Sequence, residues 1–389
     1  MNSATAAATV LRMALWHPAR AGRPVGDWSA DLNPPMPLRP TREVHVNGKW
    51  LAHNRSSTSR YAAEMVRALA STGRCRLVLH APADAGDAVS GWVGWDNVEV
   101  RRSRFTGRVF EQVYLPAATA GRVLLNFEGT APVFKRRQLV TMHDAVPFRR
   151  PSGFSRSYRV LHSLAYRWFA RTADGLATES VYSAHELADV LKVDVDRFIV
   201  ARGAADALHG VQPIRPELPV WGDHYLVIGS AAPHENIGAA AAAMANSGRR
   251  VVVVGMRGTD LAPDPSVVCA EQVTDAELVW LYQHSPAFVL PATYAGFALA
   301  AVEAQALGCP VVCADSAALP EVCGDTALYF DPDDPDMLTA QLDRLDSEAG
   351  LADDLRCRGF LNAGRYSWVD SAREIIAWVD RTHRPVTRC

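Results

Sequence analysis

The residues best suited to chemistry lie in the stretch Pro291 to Pro310, Pro-Ala-Thr-Tyr-Ala-Gly-Phe-Ala-Leu-Ala-Ala-Val-Glu-Ala-Gln-Ala-Leu-Gly-Cys-Pro. An apolar run ending at Leu290 reads as a strand, a short loop holds Gly296, and a helix is predicted from Leu299. Free N–H groups at such a helix start, together with its dipole, favour a phosphate. Glu303 falls one turn into the helix, where a lone carboxylate can accept two hydrogen bonds from ribose hydroxyls. The same spacing also fits an ordinary strand–loop–helix junction with a solvated glutamate.

Other candidates are weaker. Asp194-Val195-Asp196 and Asp331-Pro332-Asp333 match the Asp-x-Asp of metal-dependent sugar transferases, but neither follows a strand as that motif requires. The seven cysteines form no CxxC pair, and Cys309 and Cys313 flank an apolar run, so core thiols in a reducing compartment are expected. The sequon Asn54-Arg55-Ser56 carries no weight in a cytoplasmic protein. Pro147 to Arg171 holds six arginines, no acid and interleaved aromatics. It is either a surface for anionic lipid or a solvated helix whose aromatics face the core.

These residues need elements to position them. The 389 residues are 49% hydrophobic and 21% charged, a globular composition. Lys+Arg 40 against Asp+Glu 42 leaves no field that would draw nucleic acid. No run reaches the roughly 18 apolar residues of a membrane helix, and the start is not a convincing signal peptide. Six prolines between 17 and 42 mark residues 1–42 as an irregular N-terminal extension. From residue 43 apolar runs alternate with helical spacing to 206, a proline-containing linker covers 207–222, and the alternation restarts over 223–366. Two α/β domains of doubly wound type facing a cleft are expected, with a last helix in 367–389 that can cross back to the first domain.

The stretch resembles the signature of the retaining glycosyltransferases of family 4, also called glycosyl transferases group 1, of GT-B fold. Ala295-Gly296-Phe297-Ala298-Leu299, Glu303 and Gly308-Cys309-Pro310-Val311-Val312 stand in its order. Leu319-Pro320-Glu321 downstream, Val140-Thr141-Met142-His143-Asp144, Thr178-Glu179-Ser180 and Tyr225 to Asn236 are similar to further segments. Arg60-Tyr61 lies in a stretch similar to the family's first-domain loop and helix, and the likeness covers about 340 residues. The resemblance implies that Glu303 binds ribose, that Gly296, Phe297, Ala298 and Leu299 meet sugar and diphosphate, and that Ser230, His234 and Asn236 belong to a phosphate loop. It implies that Val273 lies beside the base and that His143 approaches the donor sugar. It implies no cofactor and no catalytic metal, the nucleotide sugar being a co-substrate.

Three departures stand out. The first carboxylate of the Glu-x7-Glu pair is Ala295, the basic residue of the phosphate loop is Glu235, and the first-domain loop has Ser57 in place of glycine. A protonated His234 would partly offset Glu235. The implied function is a retaining, metal-independent hexosyltransferase. It would act from GDP-mannose or a UDP- or dTDP-sugar onto a saccharide or lipid-linked saccharide of a surface polysaccharide, in the cytoplasm at the inner membrane face. The alternative is a catalytically degenerate GT-B protein that serves as a binding partner in glycan assembly.

Overall fold

The computed structural model describes residues 42–52, 56–220 and 222–383. The expected N-terminal extension therefore lies outside the described residues except for Arg42, as do Asn54 and Arg55 of the sequon.

Seven strands form the first sheet: β1 (Glu43–Asn47), β2 (Arg76–Ala81), β3 (Val98–Arg102), β4 (Leu124–Asn126), β5 (Gln138–Thr141), β6 (Gly175–Thr178) and β7 (Phe198–Val200). Their order is β3-β2-β1-β4-β5-β6-β7, and every pairing is parallel. Six strands form the second: β8 (Tyr225–Ile228), β9 (Val251–Val254), β10 (Val267–Ala270), β11 (Phe288–Leu290), β12 (Val311–Ala314) and β13 (Ala327–Phe330). Their order, β10-β9-β8-β11-β12-β13, is again parallel throughout. The central strands are continuous apolar runs, such as Val251 to Val254, because helices cover both faces of a parallel sheet. Each sheet reverses its winding once, between β1 and β4 and between β8 and β11. Loops leaving strand ends at such a reversal diverge and open a crevice.

The longer helices are α1 (Ser57–Ser71), α2 (Arg156–Thr172), α3 (Val181–Leu191), α4 (Ile237–Asn246), α5 (Asp275–His284), α6 (Leu299–Ala306), α7 (Pro335–Ser347), α8 (Leu351–Ala363) and α9 (Trp368–His383). In α1, Tyr61, Met65, Val66 and Leu69 recur at helical spacing and are all buried. Ser56 and Ser59 close a capping box at its start. Helix α9 returns to the first domain. Ser371 donates to the Arg202 carbonyl at 2.7 Å and Arg42 pairs with Asp380 at 2.6 Å. Trp378 lies over Gly175, where a Cβ would stand 2.5 Å from the indole.

Candidate active site

Helix α6 begins where β11 delivers the chain to the crevice. Ala298, at its N-cap, has φ 68°, in the left-handed region, and no side chain caps the first turn. That conformation costs a non-glycine residue roughly 1–2 kcal/mol, and the surrounding fold enforces it. Glu303 is 4% exposed, so the solvated-glutamate reading of this junction fails. Its Oε1 lies 3.0 Å from Arg60 Nε of α1, and its Oε2 accepts from the Tyr282 hydroxyl at 3.5 Å. Burial pushes its carboxyl up to about 7 against the pull of Arg60.

The neighbouring loop, Gly229 to Asn236, leaves β8. Ser230 is exposed, and its hydroxyl accepts from the Ala232 N–H at 3.4 Å. Asn236 sits at φ 55° and donates to the Pro332 carbonyl at 2.7 Å. The His234 carbonyl accepts from Thr293 N–H at 2.8 Å, which ties this loop to the one before α6. Burial, with Asp144 nearby, lifts Glu235 to about 7. Burial also lowers the His234 imidazole below its ordinary value, so it is neutral near pH 7. The expected offset of Glu235 by a protonated His234 is therefore absent, because desolvation outweighs the attraction of Asp144. Val273 is half-buried immediately before Thr274, which caps α5 in a box with Glu277.

From the first domain, β5 and β6 deliver His143, Asp144, Glu179 and Ser180. The His143 imidazole bonds through Nδ1 to Glu179 and through Nε2 to the Phe127 carbonyl at 3.0 Å. Both partners offer acceptor oxygens, an arrangement that favours the doubly protonated ring. Burial alone would lower this imidazole, but Glu179 outweighs it and the net shift is upward. Tyr61 stands edge-on to the ring at 5.3 Å and donates to the Ala201 carbonyl at 2.8 Å. His143 is thus held in one orientation, with Glu179 favouring its charged form. Ser57 is exposed in the first turn of α1.

The two sets of loops meet directly. The Gly296 carbonyl accepts from Ser180 Oγ at 2.6 Å and Ser183 Oγ at 3.0 Å. A Cβ at Gly296 would lie 2.7 Å from the His143 carbonyl, so only glycine allows this approach. Phe297 and Leu299 pack against Gly203 of the first domain. Glu321 crosses to the start of α3, where it accepts from Val181 N–H at 2.9 Å and Tyr182 N–H at 2.7 Å. A carboxylate there also complements the helix dipole.

Between the loops lies a cavity of about 270 Å³, lined by Thr58, Glu128, His143, Asp144, Tyr158 and His234 among others. One wall is a ladder of rings: His234 stacks on Phe154, Phe154 on Tyr158, and Tyr158 on His162. Apolar ring faces beside carboxylates suit a sugar, which has an apolar C–H face and a polar rim. Of the expected site residues, the structure brings His143 and His234 to this cavity. It places Gly296, Phe297, Leu299 and Glu303 at the domain junction. The sequence reading missed Glu128, Asp144, Tyr158 and Arg60 as site residues. Asp144 follows His143 directly after a strand, a signal that was available for it.

The Asp-x-Asp pairs serve local turns, although Asp331, against expectation, directly follows strand β13 (Ala327–Phe330). Asp194 accepts from Asp196 N–H at 3.0 Å, and Asp331 from Asp333 N–H at 2.9 Å. Among the described residues, no helix is long and apolar enough to cross a membrane.

Comparison with known proteins bears on the same segments. Residues 222–348 match the family model described as glycosyl transferases group 1. O-antigen chain mannosyltransferase B of Escherichia coli is 36% identical over 104 residues, 27% of this chain and 27% of that protein. O-antigen chain mannosyltransferase RfbU of Salmonella typhimurium is 26% identical over 211 residues, 51% of this chain and 58% of that protein. The chain thus spans about a quarter and somewhat over half of these two relatives. Among solved structures, the Anabaena protein HepE in complex with UDP and glucose has a TM-score of 0.64 at 14% identity, covering 87% of this chain and 99% of that one. The chain has the GT-B fold, and residues 222–348 of its second domain match the glycosyl transferases group 1 model.

Proposed function

We propose that this protein is a retaining, metal-independent glycosyltransferase. It transfers a hexosyl group, mannose first among candidates, from a nucleotide sugar to a saccharide of a surface polysaccharide. The observation that carries the reading is Glu303, buried one turn into a helix whose start no side chain caps, and facing Arg60 of the first domain's α1. The E. coli and Salmonella relatives are named O-antigen mannosyltransferases, which supports the sugar and the kind of acceptor. HepE was solved with UDP and glucose, which supports a nucleotide donor.

In this reading the base lies toward Val273, the ribose on Glu303, and the diphosphate over the amides that begin α6 and along Ser230 to Asn236. The bond between the sugar's anomeric carbon and the β-phosphate oxygen breaks. The acceptor hydroxyl oxygen bonds to the same face of that carbon, and its proton passes to the departing phosphate. His143, held by Glu179 and Phe127, brings positive charge toward the sugar's oxygens. The chain contributes positioning and electrostatic stabilisation. Domain contact at Gly296 excludes water, which would otherwise hydrolyse the donor.

The test is a panel of GDP-mannose, UDP-glucose and dTDP-sugars, with nucleoside diphosphate release measured over time. Slow release from one donor, accelerated by an acceptor glycan, is expected. Ala295 and Glu235 favour a second reading, a protein that binds a donor without transferring it. Binding with no release under any acceptor would select that reading, and no binding to any donor would sink both.

A lipid-linked acceptor would place the protein at an anionic membrane surface, the inner face in our reading. On α2, Leu161, Leu164 and Trp168 recur at helical spacing and are all exposed, Leu164 by 60%. Trp168 donates to the Val133 carbonyl at 2.7 Å, which brings the 86% exposed Phe134 beside the same stripe. The helix carries Arg156, Arg159, Arg167 and Arg171 and no acid. Each arginine near an anionic surface contributes about 1 kcal/mol. The protein should sediment with vesicles containing phosphatidylglycerol and not with phosphatidylcholine alone. Leu161→Glu with Leu164→Glu should lower the bound fraction at least tenfold, and equal binding by that variant would remove the membrane from this reading.

A further inference from the structure

The carboxylate assigned to ribose is already occupied, and by a residue of the other domain. Arg60, at the first turn of α1, places Nε 3.0 Å from Glu303 Oε1 and donates through a terminal nitrogen to Asp275 Oδ1 at 3.2 Å. Tyr282 serves Oε2 from within the second domain. A ribose diol that takes both oxygens of Glu303 competes with Arg60 for Oε1. The contact also spans the crevice, since α1 follows β1 and Glu303 follows β11.

On the opposite side of the same site, the second domain's own loop supplies no cation. Gly229 to Asn236 contains no lysine or arginine and does contain Glu235. A diphosphate laid along this loop meets one carboxylate, a neutral His234 and amides. Of the other arginines near the crevice, Arg202 lies 3.4 Å from Glu321, and Arg150, near enough to His234 to lower its imidazole, is exposed at the first domain's side of the loop. Thr58, two residues before Arg60, lines the same cavity as His234. The start of α1 therefore faces the phosphate loop, and an arginine stem is long and flexible enough to re-aim its fork from a carboxylate to a phosphate.

We propose that Arg60 is a donor-positioning residue that exchanges partners: it guards Glu303 in the empty site and moves to the donor's diphosphate when ribose takes Glu303. Arg60 thus supplies from the first domain the charge that the second domain's loop lacks. It also links nucleotide entry to the contact between domains, because the residue that holds the empty crevice together becomes part of the filled one. This inference rests on the placement of the ribose at Glu303.

The two halves of the exchange have opposite signs, which makes them separable. Calorimetric binding is measured for guanosine and GDP and for uridine and UDP, on the wild type, Arg60→Met and Arg60→Lys. Removing Arg60 frees Glu303 from its competitor and also raises its carboxyl, so the comparison is made well above pH 7, where Glu303 is ionised and the methionine variant should bind the nucleoside several-fold more tightly. The same variant should bind the diphosphate at least tenfold more weakly, and lysine should restore most of that loss. A merely structural arginine would shift both ligands together or neither, and either pattern overturns the proposal. Thermal unfolding of Arg60→Met is followed in parallel. If that variant unfolds, Arg60→Lys carries the test alone. It keeps the charge without the fork, so it should still favour the diphosphate over the nucleoside, and losing both equally would overturn the exchange. Failure of the wild type to bind any of the four ligands would instead overturn the donor site itself, and this inference with it.

Discussion

Replacing Glu303 with alanine is expected to abolish measurable binding of the nucleotide donor while leaving the fold intact. The carboxylate is buried and has one oxygen toward Tyr282 and one toward Arg60. In the filled site it would accept two ribose hydroxyls. Hydrogen bonds to a charged acceptor are worth about 1.5–3 kcal/mol each, so their loss weakens binding on the order of a hundredfold or more. Glutamine keeps an acceptor but drops the charge, so Glu303→Gln should fall between wild type and alanine. The fold should lose less. Arg60 retains Asp275, and its side chain is 23% exposed, so water reaches the guanidinium that alanine leaves behind. A cost of about 1–3 kcal/mol is expected from such a partly stranded charge. Calorimetry with the preferred nucleotide reads the first effect, and thermal unfolding reads the second. Unchanged affinity in the alanine variant would mean that the nucleotide lies elsewhere.

Much of this architecture was legible in the sequence because parallel sheets buried on both faces leave an unambiguous trace. Val251 to Val254, Val311 to Ala314 and the alternation around them required strands between helices, and strands are what they form. Edge strands left a weaker mark. β3, Glu99 and Arg101 included, is only partly buried, so its residues follow no apolar rule that would mark a strand. β7 and β10 are similar cases. The site divides along the same line. Glu303 and Gly296 could be found because local geometry, a helix start and a close approach, dictates their residue types. Arg60 and Glu321 could not be assigned roles, since each acts on an element more than one hundred residues away. Asp-x-Asp shows the converse, a pattern with chemical meaning that the chain spends on closing turns. The arginine-rich run needed coordinates as well. Its composition permitted a core-facing helix, and α2 in fact buries Tyr166 and Phe169 while exposing Leu161, Leu164 and Trp168.

The affinity for an intact nucleotide sugar is expected to fall above neutral pH, and Glu235→Gln is expected to remove that fall. Glu235 sits in the loop proposed for the diphosphate, and its carboxyl is raised to about 7 by burial and by Asp144. Below pH 7 it is largely protonated and presents no charge to the phosphates. Above pH 7 it ionises in the empty site, and a bound diphosphate opposes that ionisation. Binding then requires proton uptake, so affinity falls by up to tenfold per pH unit until the carboxyl's value in the complex is reached. Glu303 has the opposite sign. Burial raises it to about 7 as well, and its ionised form is the better acceptor for ribose, so affinity rises with pH through the same range. The wild type should therefore bind best near neutrality, and Glu235→Gln should keep the rising limb alone. At pH 8.5 the variant should bind about tenfold more tightly than the wild type, the scale of one like-charge contact at protein-like dielectric. The ligand must be the nucleotide sugar rather than the free diphosphate, whose terminal phosphate titrates near pH 6 on its own. Superimposable profiles for wild type and variant, from calorimetry across pH 6 to 9, would place the diphosphate away from Glu235.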